Sequence, residues 1–495
     1  MSSRYAPLLS ISEQTPVRKS TNYAALFAAF ALSLGSHYAA HTLSALKSDL
    51  KTNLNISNAQ YGVIQSSVSL TNTLLPTLGG LFIDSLGAPL GASLATLLVA
   101  IGNIFVAVGV QFSSVGILVF GRVVYGLGSG TVVICQETII SREIGRKRLA
   151  FVLGILFSFT RIASFMSNIT VVPIKNAAGS FEFPFWFSAM FCVACFLISL
   201  VYLFSNNSIQ HGAIDPAHIS DANSEIEFSE PHNKPPRFNI HALLHLPYAY
   251  WVLITIQLVM AGLWSSFLHV STELVQLRYG ESQEIAAYNA GVGQAVPIIL
   301  SPFLGAFIDR FGLRITLVIL ASFTLCLSQL SLLYLSFPLI SMFLFSISLS
   351  FGPVGLATSI PLLLSLDLVG TAYGVFKAAE NVGATLFDIL IGVVQDGTPD
   401  GGYSRVIGGF LVAAIAAILL ALTLWMLDRA RGGTLESNGQ SLASQRNLRE
   451  EAEDGPYDQE YKVQDNWLCA FLFAIVMVLS WILYFWFVIH SIFSH

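Results

Sequence analysis

Charged residues are scarce in this chain. Lys, Arg, Asp and Glu make up 11% of its 495 residues, whereas hydrophobic residues make up 54%. A typical soluble domain is about one quarter charged, so this composition excludes an ordinary soluble protein and predicts a polytopic membrane protein. The chain also lacks a run of basic residues, and we therefore expect no nucleic-acid partner.

Patterns for metal binding and catalysis are missing as well. The five cysteines show neither zinc spacing nor a disulfide framework, and all fall in apolar runs: Cys135, Cys192, Cys195, Cys326 and Cys469. The sequence has no phosphate-binding loop and no Ser-His-Asp set. It thus predicts no enzyme, no cofactor and no metal site. Because the N-terminus lacks a signal-peptide layout, the first apolar helix is expected to be its own insertion signal.

Long apolar runs, in contrast, follow one another along the whole chain. A helix needs about 20 apolar residues to cross a bilayer, and thirteen runs meet that need. They lie at 23–46, 60–84, 91–112, 114–141, 149–172, 185–205, 247–275, 284–309, 314–335, 338–365, 370–395, 403–427 and 467–491. The first twelve split into six and six around a polar segment. The predicted fold is therefore all-α, with two six-helix bundles and an extra C-terminal transmembrane helix.

This organisation divides the chain into segments. The polar stretches bury too little apolar surface to fold alone, so they are expected to be flexible or disordered. The predicted segments are a cytosolic tail at 1–22, the N-terminal bundle at 23–205, a linker at 206–246, the C-terminal bundle at 247–428, a disordered tail at 429–466 and the extra helix at 467–491.

The distribution of Lys and Arg predicts the orientation in the membrane. Eleven of these residues fall on the side that carries the N-terminus and five on the opposite side. Such an excess marks the cytosolic side. The sequon Asn55-Ile56-Ser57 then faces the opposite, lumenal compartment, where it is either glycosylated or left unused. The C-terminus is also lumenal if the last helix spans.

One phrase recurs at the same place in both halves. Residues 80–87 read Gly-Leu-Phe-Ile-Asp-Ser-Leu-Gly at the end of the second span, and residues 305–314 read Gly-Ala-Phe-Ile-Asp-Arg-Phe-Gly-Leu-Arg at the end of the eighth. Parallel repeats of this kind build transporters whose substrate site lies between the halves, near the middle of the membrane.

The repeated phrase resembles the signature loop of the major facilitator superfamily, and Arg122 with the glycines that follow it resembles that superfamily's fourth-helix motif. Within the superfamily the chain is most similar to a branch of lysosomal dipeptide uniporters. The shared phrases are Gly35-Ser36-x-Tyr38, Gly79-Gly80 with Ile83-Asp84, Gly121-Arg122 with Gly126-x-Gly128, Gln136, Arg161-Ile162-x-Ser164, Gly370 to Gly374 with Asn381-x-Gly383, and Arg429-Ala430-x-Gly432-Gly433.

This resemblance implies two bundles that rock around a central site and export dipeptides passively from a lysosome or vacuole. It also implies a lumenal accessory protein or a second copy as partner. Gln136 and His41 become candidate substrate contacts, since His41 stands where the branch has an aspartate. A latch at the cytosolic face is implied for Asp84, Gly87, Asp309, Arg310, Gly312 and Arg314.

Arg161 is the central candidate for substrate binding. At 1.5 Å per residue it lies about 18 Å from the cytosolic end of the fifth span, close to the middle of the membrane. Ser164 follows on the same helical face. A guanidinium at this depth suits a two-pronged grip on a carboxylate. The alternative is an arginine held by a buried acid to stabilise one conformation.

The eleventh span carries complementary charges. Lys377, Glu380 and Asp388 share one helical sector. Arg161 in one half and Glu380 in the other would hold the carboxylate and the ammonium of a free peptide. The alternative is a Lys377–Glu380 ion pair that takes no ligand.

Proton coupling is a further role to consider, and its candidates are Glu137, Asp388, His37 and His269. Histidine titrates in the range that separates an acidic lumen from the cytosol. Polar lining without titration is the alternative for the histidines, and pairing with Arg142 or Arg146 is the alternative for Glu137.

The sequence therefore predicts a transporter of small organic solutes, with dipeptides as the first hypothesis and the lysosomal or vacuolar membrane as its location. Two alternatives stay open. One is proton-coupled movement of another small organic anion, and the other is a non-transporting scaffold or sensor on the same fold. The expected partners are the small-molecule substrate and the lipid bilayer.

Overall fold

The structure is a computed structural model of the chain. It describes residues 23–73, 88–143, 146–212, 246–364, 369–399, 401–430, 432–437 and 466–493. The described helices of the N-terminal half are α1 (Tyr23–Ala31), α2 (Leu34–Ala45), α3 (Lys47–Leu54), α4 (Asn58–Thr71), α5 (Ala88–Gln111), α6 (Val115–Glu143), α7 (Arg146–Ala178) and α8 (Phe183–Gly212).

The C-terminal half repeats this all-helical pattern. Its helices are α9 (Tyr248–Tyr279), α10 (Gln283–Val292), α11 (Ala295–Phe311), α12 (Arg314–Tyr334), α13 (Pro338–Leu363), α14 (Val369–Asp396) and α15 (Ser404–Ala430). A short 3-10 turn at Thr434–Glu436 lies in the segment predicted to be a disordered tail, and α16 (Trp467–Phe493) follows. α8 runs on to Gly212, beyond the predicted start of the linker.

The described residues include 11 helices long and apolar enough to cross a membrane. They correspond to the third to thirteenth predicted spans, with α10 and α11 counted together as the eighth. The first predicted span, 23–46, is two helices, because α1 ends at Ala31 and α2 begins at Leu34. Of the second predicted span, 60–84, the structure describes only the part up to Thr73. The prediction of an all-helical fold is confirmed.

A side chain from a neighbouring helix stabilises the break between α1 and α2. The Nε2 group of Gln136 on α6 donates to the carbonyl oxygen of Ala29 at 2.6 Å and to the Oγ atom of Ser33 at 2.9 Å. A backbone carbonyl freed by a helix break needs such a partner, because hydrocarbon offers none. Gln136 was predicted to contact substrate, and the structure places it in this packing role.

Each half has its own apolar core, and among the described residues two large seams join the halves. In one seam α4 packs along α14, and in the other α7 packs along α10 and α11. Glycines allow the first seam to close, since a Cβ atom on Gly62 would overlap the backbone oxygen of Asp388. A Cβ atom on Gly392 would meet the oxygen of Asn58 in the same way. Small residues are the usual means of bringing membrane helices this close.

α16 lies outside both bundles, against α4 and α14. The hydroxyl groups of Tyr484 and Ser67 are 2.9 Å apart, and the Trp481 Nε1 group donates to Thr73 Oγ1 at 3.2 Å. Just before the helix, Asn466 Nδ2 donates to the carbonyl oxygen of Leu246 beside the start of α9 at 2.8 Å. The helix therefore starts level with the beginning of α9 and runs along the first seam.

The two faces of the molecule need names. We call the end at which α1 and α9 begin the near side, which is the side predicted to be cytosolic. The end that carries α3 and the Asn55–Ser57 loop is the far side, predicted to be lumenal.

We expect Gly62→Val to weaken the first seam, because the added side chain would push α4 away from the backbone of α14. Overpacking of this kind costs about 1–3 kcal/mol. The measurement is the thermal unfolding midpoint of the purified protein in detergent. Gly408→Val is the control, since a Cβ atom there meets no atom within 4 Å. An unchanged midpoint for Gly62→Val would contradict the close approach.

Candidate functional site

Arg161 bridges the two halves. It lies on α7, and its Nη1 group donates to the Oε1 atom of Gln294 at 3.0 Å. Gln294 belongs to the C-terminal half and is fully buried at the break between α10 and α11. Its Nε2 atom is 3.3 Å from the Nε2 atom of His41 on α2. Two predicted substrate contacts of the N-terminal half thus converge on one amide that the sequence analysis had missed.

A second polar group lies on α14. The Lys377 Nζ atom is 2.9 Å from Glu380 Oε2, and Gln257 on α9 donates to the same oxygen at 3.2 Å. The Lys377 side chain is 50% exposed and that of Glu380 35%. Because both lie within a membrane-spanning segment, exposure of this extent indicates an internal space rather than bulk solvent.

Charges of the opposite half lie within electrostatic range of this pair. Arg161 interacts electrostatically with Glu380, and Lys377 interacts with Glu137 and with Arg161. His37, one turn before His41 on α2, also interacts with Arg161. Arg161, Glu137 and His37 of one half thus lie within electrostatic range of one another or of the Lys377–Glu380 pair of the other half. We call these residues, together with Gln294 and Gln257, the central charge cluster.

Ser164 lies apart from this cluster. Its hydroxyl donates to the carbonyl oxygen of Thr160 on its own helix at 3.1 Å, and its side chain is buried. Such back-bonding is common for serine in membrane helices. Ser164 therefore packs within α7, whereas the sequence had placed it in the substrate site.

The far side is closed by charges that the sequence analysis did not single out. Lys47 Nζ at the start of α3 is 2.7 Å from Glu273 Oε2 on α9, and Lys51 Nζ is 3.0 Å from Glu273 Oε1. The hydroxyl of Tyr403 donates to Glu273 Oε2 at 2.5 Å and accepts from Lys47 at 2.7 Å. Lys47 is only 1% exposed. We call Lys47, Lys51, Glu273 and Tyr403 the far gate.

Further polar contacts, within and between the halves, surround the far gate. Lys175 Nζ on α7 is 2.8 Å from Asp49 Oδ2, and it also donates to Gln283 of α10. Asp396 at the end of α14 accepts hydrogen bonds from the backbone and side chain of Asn58 at 2.9 and 2.8 Å. The described conformation is thus held shut on the far side, while the central charge cluster lies between the gate and the near side.

His269 and Asp388 lie between the central charge cluster and the far gate. His269 Nδ1 on α9 is 2.9 Å from Asp388 Oδ1 on α14. Both residues belong to the C-terminal half. Asp388 therefore contacts His269 and not the Lys377–Glu380 pair. The sequence had placed Asp388, Lys377 and Glu380 in one helical sector.

The predicted latch at the near side is described only in part. Asp84 and Gly87, and the side chain of Asp309, lie outside the described residues. Arg314 is buried, and its Nη1 group donates to the carbonyl oxygens of Leu435 at 3.4 Å and Ser437 at 2.8 Å. Gly312 has φ +73°, and a Cβ atom there would overlap the backbone of Glu436.

The turn between α11 and α12 therefore binds the segment that follows α15. Arg310 is exposed, with its guanidinium carbon 5.5 Å from the ring centroid of Phe311. The basic residues of the repeated phrase thus have different roles, since Arg314 holds backbone carbonyls and Arg310 lies on the surface.

Comparisons with known proteins agree with this architecture. The family model described as Major Facilitator Superfamily matches residues 24–388. The lysosomal dipeptide transporter MFSD1 of Homo sapiens is 21% identical over 415 residues, which cover 82% of this chain and 86% of that protein. The Mus musculus MFSD1 protein is 24% identical over 414 residues, with 82% and 86% covered.

Solved structures show the same fold. A peptide transporter POT in complex with sulfate aligns with a TM-score of 0.60 at 14% identity, covering 83% of this chain and 95% of that one. A D-xylose–proton symporter aligns with a TM-score of 0.60 at 14% identity, covering 82% and 98%. At this level of identity the likeness concerns the fold alone.

We expect Lys47→Met to open the far side, because it removes one partner of a buried ion pair. Leaving a buried charge unpaired costs about 3–5 kcal/mol, and Lys51 offsets part of that cost for Glu273. The measurement is the rate at which a polar maleimide labels a Ser48→Cys reporter in purified protein. Ser48 lies at this interface and donates to Gln276 Oε1 at 3.0 Å. Labelling should be several-fold faster in the Lys47→Met background.

Two further variants make this measurement specific. Exchanging the charges, with Lys47→Glu and Glu273→Lys together, should return the labelling rate toward that of the parent reporter. Arg405→Met is the matched control, because Arg405 is an exposed far-side cation that donates to the carbonyl oxygen of Gly397 outside the gate. Equal labelling in all four proteins would mean that the ion pair does not hold the far side shut.

Proposed function

Because this chain belongs to the Major Facilitator Superfamily and is a membrane transporter of solutes, we propose that its substrates are dipeptides, which it carries from the far side to the near side. The central charge cluster is the observation that carries this proposal. It offers a guanidinium from one half within electrostatic range of a carboxylate from the other. A free dipeptide has a carboxylate and an ammonium to match them.

The chemistry of the central charge cluster favours a ligand that carries both a negative and a positive group. Arg161 binds a carboxylate best, since its planar fork donates two parallel hydrogen bonds. Glu380 already accepts the ammonium of Lys377 at 2.9 Å, so its oxygens are placed to accept an amine. A ligand that touches Arg161 and Glu380 at once links the two halves. Its binding energy then becomes available to the rocking step, as alternating access requires.

The relatives support the same substrate class. MFSD1 is described as a lysosomal dipeptide transporter, and the chain covers most of its length. We therefore propose the lysosomal or vacuolar membrane as its location, with the near side in the cytosol. Uniport, which the resemblance implies, stays a prediction.

We expect Arg161→Ala to weaken dipeptide uptake by about 10- to 100-fold, the factor that corresponds to a lost charged hydrogen bond of about 1.5–3 kcal/mol. The measurement is uptake of a labelled dipeptide into proteoliposomes. It is repeated with the same dipeptide carrying a C-terminal amide, which has no carboxylate. If Arg161 holds the carboxylate, the amide is a poor substrate for the wild type and Arg161→Ala adds little further loss.

The opposite end of the substrate is tested in the same way. Glu380→Gln should impair the free dipeptide but have little additional effect on an N-acetylated one. Arg405→Ala is the control variant and should transport both like the wild type. Equal losses for free and amidated dipeptides in Arg161→Ala would contradict the assignment of the carboxylate. No saturable uptake of any dipeptide by the wild type would contradict the function itself.

We also propose that α16 crosses the membrane and places the C-terminus in the lumen. Its hydrophobic stretch covers Trp467–Ile489, and the rest of the protein buries only 11% of the most apolar 18-residue window in it. An apolar helix of this length with so little protein cover needs lipid around it. Its start beside Leu246 puts the N-terminal end of the helix at the near side.

Location and topology are tested together. A tag after the last residue should resist protease in intact lysosomes or vacuoles and become sensitive when detergent is added. A tag before the first residue should be digested in both conditions. Digestion of the C-terminal tag in intact organelles would show that α16 does not span, and absence of the protein from these organelles would contradict the location.

A further inference from the structure

Three Asn-x-Ser/Thr sequons occur in the chain, and they lie in three different surroundings. They are Asn55-Ile56-Ser57, Asn168-Ile169-Thr170 and Asn206-Asn207-Ser208. Such a sequon accepts an N-linked oligosaccharide where it is exposed on the lumenal side of the secretory pathway. The side of the membrane and the exposure of the asparagine therefore decide which of the three can be modified.

Two of the sequons lie where a lumenal transferase does not reach them. Asn168 belongs to the membrane-spanning part of α7 and is 2% exposed. Asn206 lies near the end of α8. Since α7 reaches the far side at Lys175, which pairs with Asp49, α8 runs back and ends at the near side. On the proposed orientation the near side is cytosolic, whereas the oligosaccharide is transferred in the lumen.

Asn55 has the opposite placement. It ends α3 on the far side, and its side chain is exposed. The flanking residues Leu54 and Ile56 are buried. The backbone N–H groups of Asn55 and Ile56 both donate to the carbonyl oxygen of Lys51. The turn is thus anchored on both sides of Asn55, while the amide of Asn55 is open to water on the far side.

The hydroxyl that completes this sequon stands at the start of α4. Ser57 is exposed and forms a capping box with Gln60. The Ser57 Oγ atom accepts from the Gln60 backbone N–H at 3.1 Å, and the Ser57 N–H donates to Gln60 Oε1 at 2.8 Å. The acceptor asparagine and the hydroxyl therefore lie at two ordered helix ends, and a test variant has to keep those ends intact.

Asn55→Gly meets this requirement. Asn55 has φ 52° and ψ 45°, the left-handed conformation that few residues other than asparagine, aspartate and glycine adopt readily. Glycine adopts it without steric cost, so the substitution removes the acceptor nitrogen and keeps the turn. Ser57→Thr is the complementary variant, because threonine keeps the sequon and is also a good N-cap residue.

We propose that Asn55 is N-glycosylated on the far side and that Asn168 and Asn206 stay unmodified. The Asn55 Nδ2 atom forms a C–N bond to the anomeric carbon of a lipid-pyrophosphate-linked oligosaccharide, and the bond between that carbon and the phosphate oxygen breaks. The amide nitrogen loses one proton, the lipid pyrophosphate leaves, and nothing is oxidised or reduced. This proposal goes beyond the proposed function and rests only on its orientation of the chain in the membrane.

The oligosaccharide stands on the rim of the far gate. Asn55 follows Lys51 by four residues and is exposed, whereas the side chains of Lys47 and Glu273 are 1% and 3% exposed. The sugar therefore stays in lumenal water outside the gate. Since the contacts of the far gate do not involve Asn55, Asn55→Gly should have the same thermal unfolding midpoint as enzymatically deglycosylated wild-type protein.

The experiment produces the full-length chain in a eukaryotic cell that glycosylates lumenal asparagines. Mobility in a denaturing gel is measured before and after treatment with peptide N-glycosidase F. The wild type should lose the mass of one oligosaccharide on treatment, and Asn55→Gly should migrate like the treated wild type from the start. Ser57→Thr and Asn206→Gln are the matched controls and should migrate like the untreated wild type. The enzyme converts the released asparagine into aspartate, so peptide mass spectrometry of the wild type identifies the modified residue without any variant.

Three results would overturn the proposal. An unchanged mobility of the treated wild type would show that Asn55 carries no oligosaccharide, and the protease protection of the two tags would then show whether the orientation still holds. Conversion of Asn168 instead of Asn55 would show that the wrong acceptor was chosen. Conversion of Asn206 would overturn the proposal together with the cytosolic near side. None of these measurements involves a substrate, so a failure of the proposed transport function is recognised separately.

Discussion

A charge inside a membrane must be paired or hydrated, and this constraint organises the described part of the molecule. Each unpaired buried ion costs several kcal/mol, so charged side chains collect between the halves, where partners and water are found. Lys47 meets Glu273 at the far side, and Arg161 meets Gln294 near the middle. The outward surface is apolar, as exposed residues such as Phe303 and Val412 illustrate. The contacts that exist for electrostatic reasons are thus also the contacts that must change when the halves move.

The described polar contacts between the halves are concentrated at the far side, and they keep that side closed. Gly62 and Gly392 let α4 and α14 touch in the far half of the membrane, and the Lys47–Glu273 pair closes the same end. Opening the far side must separate backbones that are in direct contact and also break a buried ion pair. A large part of that cost has to be returned by new contacts at the near side or by ligand binding. The far gate therefore closes the far side and also makes its opening an energetically costly step of the transport cycle.

Much of the fold follows from the sequence, because hydrophobic length is a local property. The long apolar runs and the repeated phrase were enough to predict an all-helical membrane protein, whereas the depth of Arg161, obtained by counting residues, stays a prediction. The far gate did not follow, since 222 residues separate Lys51 from Glu273 and no periodicity connects them. Gln294 was missed because an amide inside an apolar run carries no charge signal, although Gly291 and Gly293 mark the helix break at which it lies. Ser164 and Gln136 form packing hydrogen bonds in the described conformation, because neither a shared helical face nor a shared motif says which neighbour a side chain meets.

The eleventh span was predicted either to hold the ammonium of a peptide through Glu380 or to carry a Lys377–Glu380 ion pair without a ligand. These two alternatives need not exclude each other. Lys377 and Glu380 do form an internal ion pair, but Lys377 is half exposed, so its hold on Glu380 is weak. Arg161 has a neutral amide as its direct partner and no carboxylate within ion-pair distance among the described residues. An incoming carboxylate at Arg161 would therefore gain a full charge-assisted contact, whereas an incoming ammonium at Glu380 must first displace Lys377. On the proposed function, the carboxylate end of the substrate contributes more to binding, and the ammonium end is where selectivity between substrates is adjusted.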